Sequence, residues 1–239
     1  MKILIIVAHP DDEILGMGGT IKKFTKKKFD VKVVFLATGI SARRSENYSN
    51  STNYRVNEKT NSNMKKQIKA LRGDVKKAMK ILGVKDYQFE DFPDNEMDTV
   101  SNLEITKKIE KILFDFKPNI VYTHTQHDIN VDHRAIYNAT ITATRPSKKS
   151  NIDEVITFEV PSSTEWYFNS NFSPNIFVDI SSELSVKLKA MKAYKNEIHD
   201  FPHPRSLKAL DAIATRWGSV SGFQAAEAFT LVRKLKKSF

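Results

Sequence analysis

The sequence predicts an α/β protein: a Rossmann-like, mostly parallel sheet with helices on both faces, followed by a C-terminal α/β extension. Three observations point there. Short runs rich in Ile, Leu and Val alternate with stretches of helical apolar spacing through the first half of the chain. The opening run Ile3–Ala8 is apolar at every position, as suits a parallel strand covered on both faces. Polar residues able to do chemistry gather directly after two of the predicted strands, where open parallel sheets form their sites.

Lys2–Ala8 reads as the first strand and Val31–Thr38 as the second. A helix over Gly18–Phe29 joins them, with Ile21, Phe24 and Phe29 as its apolar positions. Such a βαβ unit implies a right-handed crossover. Residues 41–63 are rich in Ser and Asn and nearly free of large apolar side chains, so a long loop is expected there. A helix over Met64–Leu82, ended by Gly83, precedes a third strand over Asp86–Phe92. Ser101 is placed to cap a helix over Asn102–Phe116, and Pro118 precedes a fourth strand, Asn119–Thr123. The next helix starts at Val131 or Asp132 and runs to Thr144, with Pro146 stopping it. Glu154–Val160 and Asn175–Ile180 are strand-like. Ser182 is expected to cap a helix running from Glu183 to about Ile198, and another covers about Ser206–Arg216. Gln224–Lys234 is apolar and short, either a strand or a terminal helix. No internal repeat, low-complexity tract or linker divides the chain, so residues 1–239 are expected to form one domain.

Composition narrows the function. The chain has no cysteine, which excludes disulfides, thiolate nucleophiles, Cys-type zinc sites and Fe–S clusters. A hydrophobic content of 40% suits neither a disordered nor a membrane-embedded chain. The N-terminal apolar run is too short for a signal-peptide core and falls short of the ~20 residues of a membrane span. A cytoplasmic location is therefore expected. The formal charge is +10, but the lysines are dispersed at helical spacing and read as solvated helix faces, so no nucleic-acid partner is expected.

Two clusters carry the chemistry. His9-Pro10-Asp11-Asp12-Glu13 follows the first strand. His124, His127, Asp128, Asn130, Asp132 and His133 follow the fourth, so that four of the six histidines lie beyond two strand ends. Imidazole nitrogen and carboxylate oxygen both suit Zn²⁺, and a catalytic zinc takes about three protein ligands. His9 and Asp12 lie on one side of a tight turn stiffened by Pro10. A histidine from the neighbouring strand end, such as His133, completes the set. Asp11, beside these ligands, could accept the proton of a metal-bound water. Taken alone, Asp11, Asp12 and Glu13 would suit a helix cap better; the second His/Asp cluster shifts the reading to a metal site. Gly16, Gly18 and Gly19 lack the spacing of a dinucleotide loop, and no acidic residue ends the second strand, so nicotinamide binding is not expected.

Ala8-His9-Pro10-Asp11-Asp12-Glu13 after an apolar first strand resembles the signature of the LmbE-like, or PIG-L, deacetylase family. Asp132-His133-Arg134 is similar to the end of that family's second motif, and Gly222–Phe229 to its closing segment, so the resemblance spans the chain. It implies a Rossmann-like fold, a divalent metal (usually zinc), and hydrolysis of an N-acetyl group from a GlcNAc-type amino sugar or its conjugate, releasing acetate and a free amine. By this resemblance His9, Asp12 and His133 are metal ligands, Asp11 is the general base, and Asp132 is a carboxylate behind the ligands. Many members carry a histidine where this chain has Asn130, and that histidine helps stabilise the oxyanion or protonates the leaving amine. Asn130 can donate a hydrogen bond but cannot carry a proton. Either Asn130 is an oxyanion donor only, or His127 (with His124 less favoured) supplies the acid. Asp128–Arg134, Glu159–Trp166 and Pro202–Ser206 also look similar to a subset that tends to act in bacterial surface-carbohydrate or nucleotide-sugar pathways.

Arg43, Asn95, His203 and Arg205 are the expected substrate contacts. Arg43 follows the second strand, where a guanidinium could grip a phosphate, and Asn95 follows the third. His203 and Arg205 occupy a Pro-rich loop, and Trp166 suits sugar stacking and core packing equally. Zn²⁺ is the expected metal, with Fe²⁺ and Co²⁺ compatible with the same donors. The expected partner is an N-acetylated sugar or sugar conjugate, and a homo-oligomer is admitted. The alternatives are a metal-dependent amidase on a non-sugar or thiol conjugate, and a non-catalytic family member.

Overall fold

The structure, a computed structural model, describes residues 1–40, 58–147, 150–168 and 172–236. Seven strands form one sheet in the order β3-β2-β1-β4-β5-β7-β6. They are β1 (Lys2–Val7), β2 (Asp30–Ala37), β3 (Asp86–Phe92), β4 (Ile120–His124), β5 (Glu154–Phe158), β6 (Ile176–Asp179) and β7 (Ala226–Lys234). β3, β2, β1, β4 and β5 run parallel, while β7 pairs antiparallel with both β5 and β6. The mostly parallel sheet and the mixed C-terminal extension are thus as expected. The apolar run of β1 divides between two cores: Ile3, Ile5 and Val7 belong to one, Leu4, Ile6 and Ala8 to the other.

The helices are α1 (Asp12–Lys26), α2 (Glu58–Leu82), α3 (Asn102–Phe116), α4 (Val131–Ala143), α5 (Leu184–Met191) and α6 (Leu207–Ser221). Residues of α1, α2 and α5 pack with the first core, residues of α3 and α4 with the second. The chain leaves β1 for β2 on one side, and β4 lies on its other side. That switch point opens a crevice beyond the carboxyl ends of β1 and β4, and both His/Asp clusters lie there.

Several element boundaries differ from the sequence reading. α1 begins at Asp12, six residues before the expected Gly18. Its glycines are sites of close approach: a Cβ on Gly16 would lie 2.3 Å from the Phe158 ring, and one on Gly19 would lie 2.8 Å from Ile180. α2 starts at Glu58, inside the expected loop. Glu183, not Ser182, borders α5, which ends at Met191. The chain then turns through Tyr194 and Glu197, both buried against the N-terminal half. α6 runs on to Ser221, where Gly222 closes it with φ of 79°. The last element is a strand, β7. The cap at Ser101 is as expected, its hydroxyl accepting from the Glu104 N–H; Ser206, read as the start of its helix, caps α6 in the same way by accepting from the Ala209 N–H.

α1 is broken at Met17, whose φ of −151° is not helical. The break frees backbone groups inside the protein, where each must be hydrogen-bonded. Glu227 of β7 accepts from the N–H of Gly19 (2.9 Å) and of Thr20 (2.7 Å). Lys187 of α5 donates to Leu15 O (2.9 Å) and to Glu227 Oε1 (2.7 Å). A buried ion pair from the C-terminal extension thus replaces the missing helical bonds. Glu227→Ala would leave Lys187 buried without its counter-charge. We expect it to cost about 3–5 kcal/mol, read as a fall in the denaturation midpoint; a loss below about 1 kcal/mol would mean that water serves the break as well as Glu227 does.

Candidate metal centre

The site begins where β1 ends. The Ala8 N–H donates to His124 Nε2 on β4 (2.8 Å), tying the two strand ends together. The next turn is tight: the His9 N–H donates to Asp12 Oδ2 (2.8 Å), and Asp11 adopts a left-handed φ of 117°. Such a conformation costs a non-glycine residue on the order of 1–3 kcal/mol. It is held from several sides. The Asp11 carbonyl accepts from Ile14 and Leu15 in the first turn of α1. The Asp11 N–H donates to Glu13 Oε2 (3.1 Å), and the Tyr194 hydroxyl donates to Glu13 Oε1 (2.5 Å). Burial pushes the Glu13 carboxyl up to about 8.

One donor atom each from His9, Asp12 and His133 lies within 4.8 Å of the others. Asp12 Oδ2 is 3.6 Å from His9 Nδ1 and 3.3 Å from His133 Nε2. The residues fit a divalent cation. His133 Nε2 is buried without a hydrogen bond, so its lone pair or proton faces the other donors unspent. The far nitrogen of each ring is held by carboxylate, an arrangement that fixes ring orientation and tautomer in metal sites. His9 Nε2 lies 2.9 Å from both Asp94 Oδ1 and Asp132 Oδ2. His133 Nδ1 lies 3.0 Å from Asp128 Oδ2.

The supporting carboxylates are themselves tethered. Asp132 accepts from the N–H of Asn95 (2.6 Å) and of Met97 (3.0 Å). Asp128 accepts from the hydroxyls of Ser163 (2.9 Å) and Thr164 (2.8 Å). Its burial is outweighed by His133, which holds its carboxyl below the usual range. Asn130 caps α4, its Oδ1 accepting from Asp132 and His133, while its Nδ2 donates to Asn95 Oδ1 (3.1 Å). Asn95 Nδ2 donates to Asp94 (3.1 Å). Asn130 and Asn95 therefore lie inside the network that orients His9.

Asp11 is buried beside these donors. Its Oδ2 is 3.0 Å from Arg205 Nη1 but off the N–H direction, so it accepts no hydrogen bond. Burial, opposed by Arg205, raises its carboxyl to about 7. Arg205 also reaches Glu197 (3.2 Å) and donates to Ser162 Oγ (2.6 Å). The expected substrate contact is thus bound to the expected base. His203 lies on the same loop, its Nδ1 accepting from the Arg205 N–H (3.1 Å). His127 borders a cavity of about 350 Å³ lined by Thr125, Tyr137, Thr157, Phe172 and Thr230, none of them among the clustered donors. His124 is buried and stacked on His133 at 3.9 Å; burial and the His133 charge lower it to about 3, so it is neutral and no acid near neutral pH. Arg43 lies outside the described residues. Sequence position put Asp128 in the second cluster and Asp94 beside Asn95, each just past a strand end, but gave neither the role of orienting a histidine ring.

In the metal-free protein, burial would lower His133, but Asp12 and Asp128 outweigh it and raise it to about 9. His9 is raised as well, by Asp12, Asp132 and Asp94 against its burial. Both rings are then protonated at neutral pH, and a cation must displace those protons. Metal affinity is expected to rise with pH from about 6.5 to about 9, with proton release seen by calorimetry in buffers of different ionisation enthalpy. A pH-independent affinity over that window would contradict this charge state. Asp128→Asn is expected to weaken metal binding by about 10–100-fold, measured by competition with a chromogenic chelator.

Comparison with known proteins identifies the family. Residues 4–144 match the family described as GlcNAc-PI de-N-acetylase (PIG-L). The chain is 30% identical over 97% of its length to the diacetylchitobiose deacetylase of Thermococcus kodakarensis, covering 83% of that protein. It is 24% identical over 92% of its length to a probable N-acetyl-α-D-glucosaminyl L-malate deacetylase 2 of Bacillus cereus, covering 96% of that protein. Its fold matches the N,N′-diacetylchitobiose deacetylase of Pyrococcus horikoshii with a TM-score of 0.73 at 23% identity, over 97% of this chain and 84% of that one. With its first-strand motif, its paired His/Asp clusters and this match over more than half its length, the chain belongs to the PIG-L, or LmbE-like, family.

Proposed function

We propose that residues 1–239 act as one catalytic unit, a zinc-dependent deacetylase that hydrolyses the N-acetyl group of a GlcNAc-type sugar or conjugate. The observation that carries this reading is the set His9, Asp12 and His133, two of them buried and His9 partly so, with the buried Asp11 carboxylate oxygen beside it, which accepts no hydrogen bond. A divalent cation held by those three side chains would polarise the amide carbonyl and lower the pKa of water. Fe²⁺ and Co²⁺ suit the same donors.

The chain's own residues supply the proton chemistry. Asp11 accepts the proton of the attacking water at Oδ2, and its raised pKa of about 7 suits a base that works near neutrality. The same carboxyl can then return that proton to the departing amine nitrogen. Arg205 holds Asp11 in place and opposes the cost of its burial. Asp132 and Asp94 orient His9, and Asp128 orients His133. His127 is the other candidate acid and Asn130 the candidate oxyanion donor; in this reading Asp11 carries both transfers, and Asn130 serves the site through its cap on α4.

Asp11→Asn is expected to abolish acetate release from N-acetylated sugars while the protein still binds one equivalent of Zn²⁺. Near-normal turnover in that variant would remove Asp11 from the mechanism. His127→Ala should stay within about threefold of the parent rate; a loss of about a hundredfold or more, the usual scale for a general acid, would return the acid role to His127. Chelation should abolish activity, and Zn²⁺ should restore it.

A further inference from the structure

The lysines behind the +10 charge are dispersed along the sequence, but the fold gathers many of them on one side. α1, α2 and α5 form one layer over the first core, with α5 packed against both of the others. α2 turns Leu71, Val75, Met79 and Leu82 inward. At 3.6 residues per turn its opposite side carries Lys66, Lys69, Lys77 and Lys80, a row about 21 Å long. All four are exposed. α5 and the turns after it continue this surface. Lys189, Lys192 and Lys195 are exposed, while Lys187 points inward to Glu227. Few acids balance these seven lysines. α5 contains none, and α2 beyond its first residue contains only Asp74, which faces Lys77 at 2.8 Å. The layer over the second core is different. There α3 sets Glu104, Glu110 and Asp115 against Lys107, Lys108 and Lys111, with Lys107 paired to Glu110 and Lys108 to Glu90.

The chemistry of this face narrows its partner. Lysine is a compact point charge without the planar fork that reads a single phosphate. The one arginine of α2, Arg72, is held by Asp91 and the Phe89 ring. Among the described residues, α2 and α5 expose no large apolar or aromatic side chain, so nothing there can stack on a base. The backs of helices laid over a sheet make a broad face, with no element projecting to enter a groove of a duplex. Such a field of lysines complements the spread negative charge of an anionic bilayer, where each lysine near the surface adds its own attraction. No described helix is long and apolar enough to cross a membrane, so the contact stays at the headgroups.

We propose that the outer face of α2 and α5 docks the protein reversibly on anionic phospholipid headgroups. The docking is electrostatic and independent of the metal centre, so it stands or falls apart from the deacetylase reading. It also has a direction. Gln67, Leu71 and Asp74 of α2 share a cavity of about 200 Å³ with Ile40 and Glu197, and Glu197 is paired with Arg205. The basic face therefore runs up to the rim of the crevice, and a docked molecule holds its site beside the bilayer.

The test is co-sedimentation of the full chain with vesicles of phosphatidylcholine, alone or mixed with phosphatidylglycerol. Binding is expected only where phosphatidylglycerol is present, and raising NaCl from about 0.05 M to about 0.5 M should release the protein. Two triple variants separate the face from the net charge, since each removes three lysines. Lys66→Gln with Lys69→Gln and Lys80→Gln should weaken vesicle binding by about a hundredfold. Lys107→Gln with Lys108→Gln and Lys111→Gln, on the opposite layer, should weaken it by less than about threefold. Lys189→Gln with Lys192→Gln tests the α5 half in the same way. All are exposed substitutions, and an unchanged denaturation midpoint shows that a loss of binding is not a loss of fold. No binding by the parent protein, or equal losses in the two triple variants, would overturn the proposal. Tighter binding to duplex DNA than to the vesicles at the same salt, read by fluorescence anisotropy, would overturn it in favour of a nucleic-acid partner.

Discussion

Three consecutive carboxylates, Asp11, Asp12 and Glu13, are buried at the turn from β1 into α1. An isolated buried charge costs several kcal/mol, and carboxylates side by side oppose one another's ionisation. Each therefore has partners of its own, drawn from a different part of the chain. Asp12 faces His9 and His133. Glu13 takes the Tyr194 hydroxyl and the Asp11 N–H. Asp11 faces Arg205. Much of what surrounds the turn follows from the need to satisfy these three groups. α4 brings His133, the turns after α5 bring Tyr194, and the loop before α6 brings Arg205.

The C-terminal extension is thus part of the site's electrostatics, beyond the strands it adds to the sheet. Its second contribution is mechanical. Close contact of α1 with Phe158 and Ile180 calls for glycine at positions 16 and 19, and the helix breaks between them at Met17. Glycine weakens a helix by about 1 kcal/mol relative to alanine. Glu227 and Lys187 restore the hydrogen bonds that the break removes. The last strand, the broken helix and the donor turn are linked through one buried ion pair.

Much of this was legible in the sequence, for identifiable physical reasons. β1 and β2 announced themselves because strands covered on both faces are largely apolar. The clustered His and Asp side chains that could hold a metal were legible because they follow strand ends, where the fold leaves its crevice. α1 was expected to start only at Gly18, six residues late, because Gly16 and Gly19 serve close packing against residues more than a hundred positions away rather than a local helical pattern. Arg205 was recognised as a site residue but assigned to substrate. Its partner Asp11 lies near the other end of the chain, and no local pattern pairs them. Asn95 and Asn130 were taken as contacts for substrate or oxyanion, whereas the hydrogen bonds they make run to one another and to the carboxylates around His9. Sequence position showed that these residues lie at the site; only the three-dimensional network shows which of them touch the donors.

Synthesis runs from the N-terminus, which gives the Glu227–Lys187 pair and its neighbours a temporal meaning. The acidic turn after β1 emerges early, with its strained Asp11 and the glycine-broken start of α1. The groups that neutralise or hydrogen-bond it, Lys187, Tyr194, Arg205 and Glu227, all lie in the last quarter of the chain. Until those residues are made, the parallel core can gather but the acidic turn has no reason to stay buried. The same separation makes the donor turn depend on the last strand in the order of the chain, β7, which lies between β5 and β6 and carries Glu227.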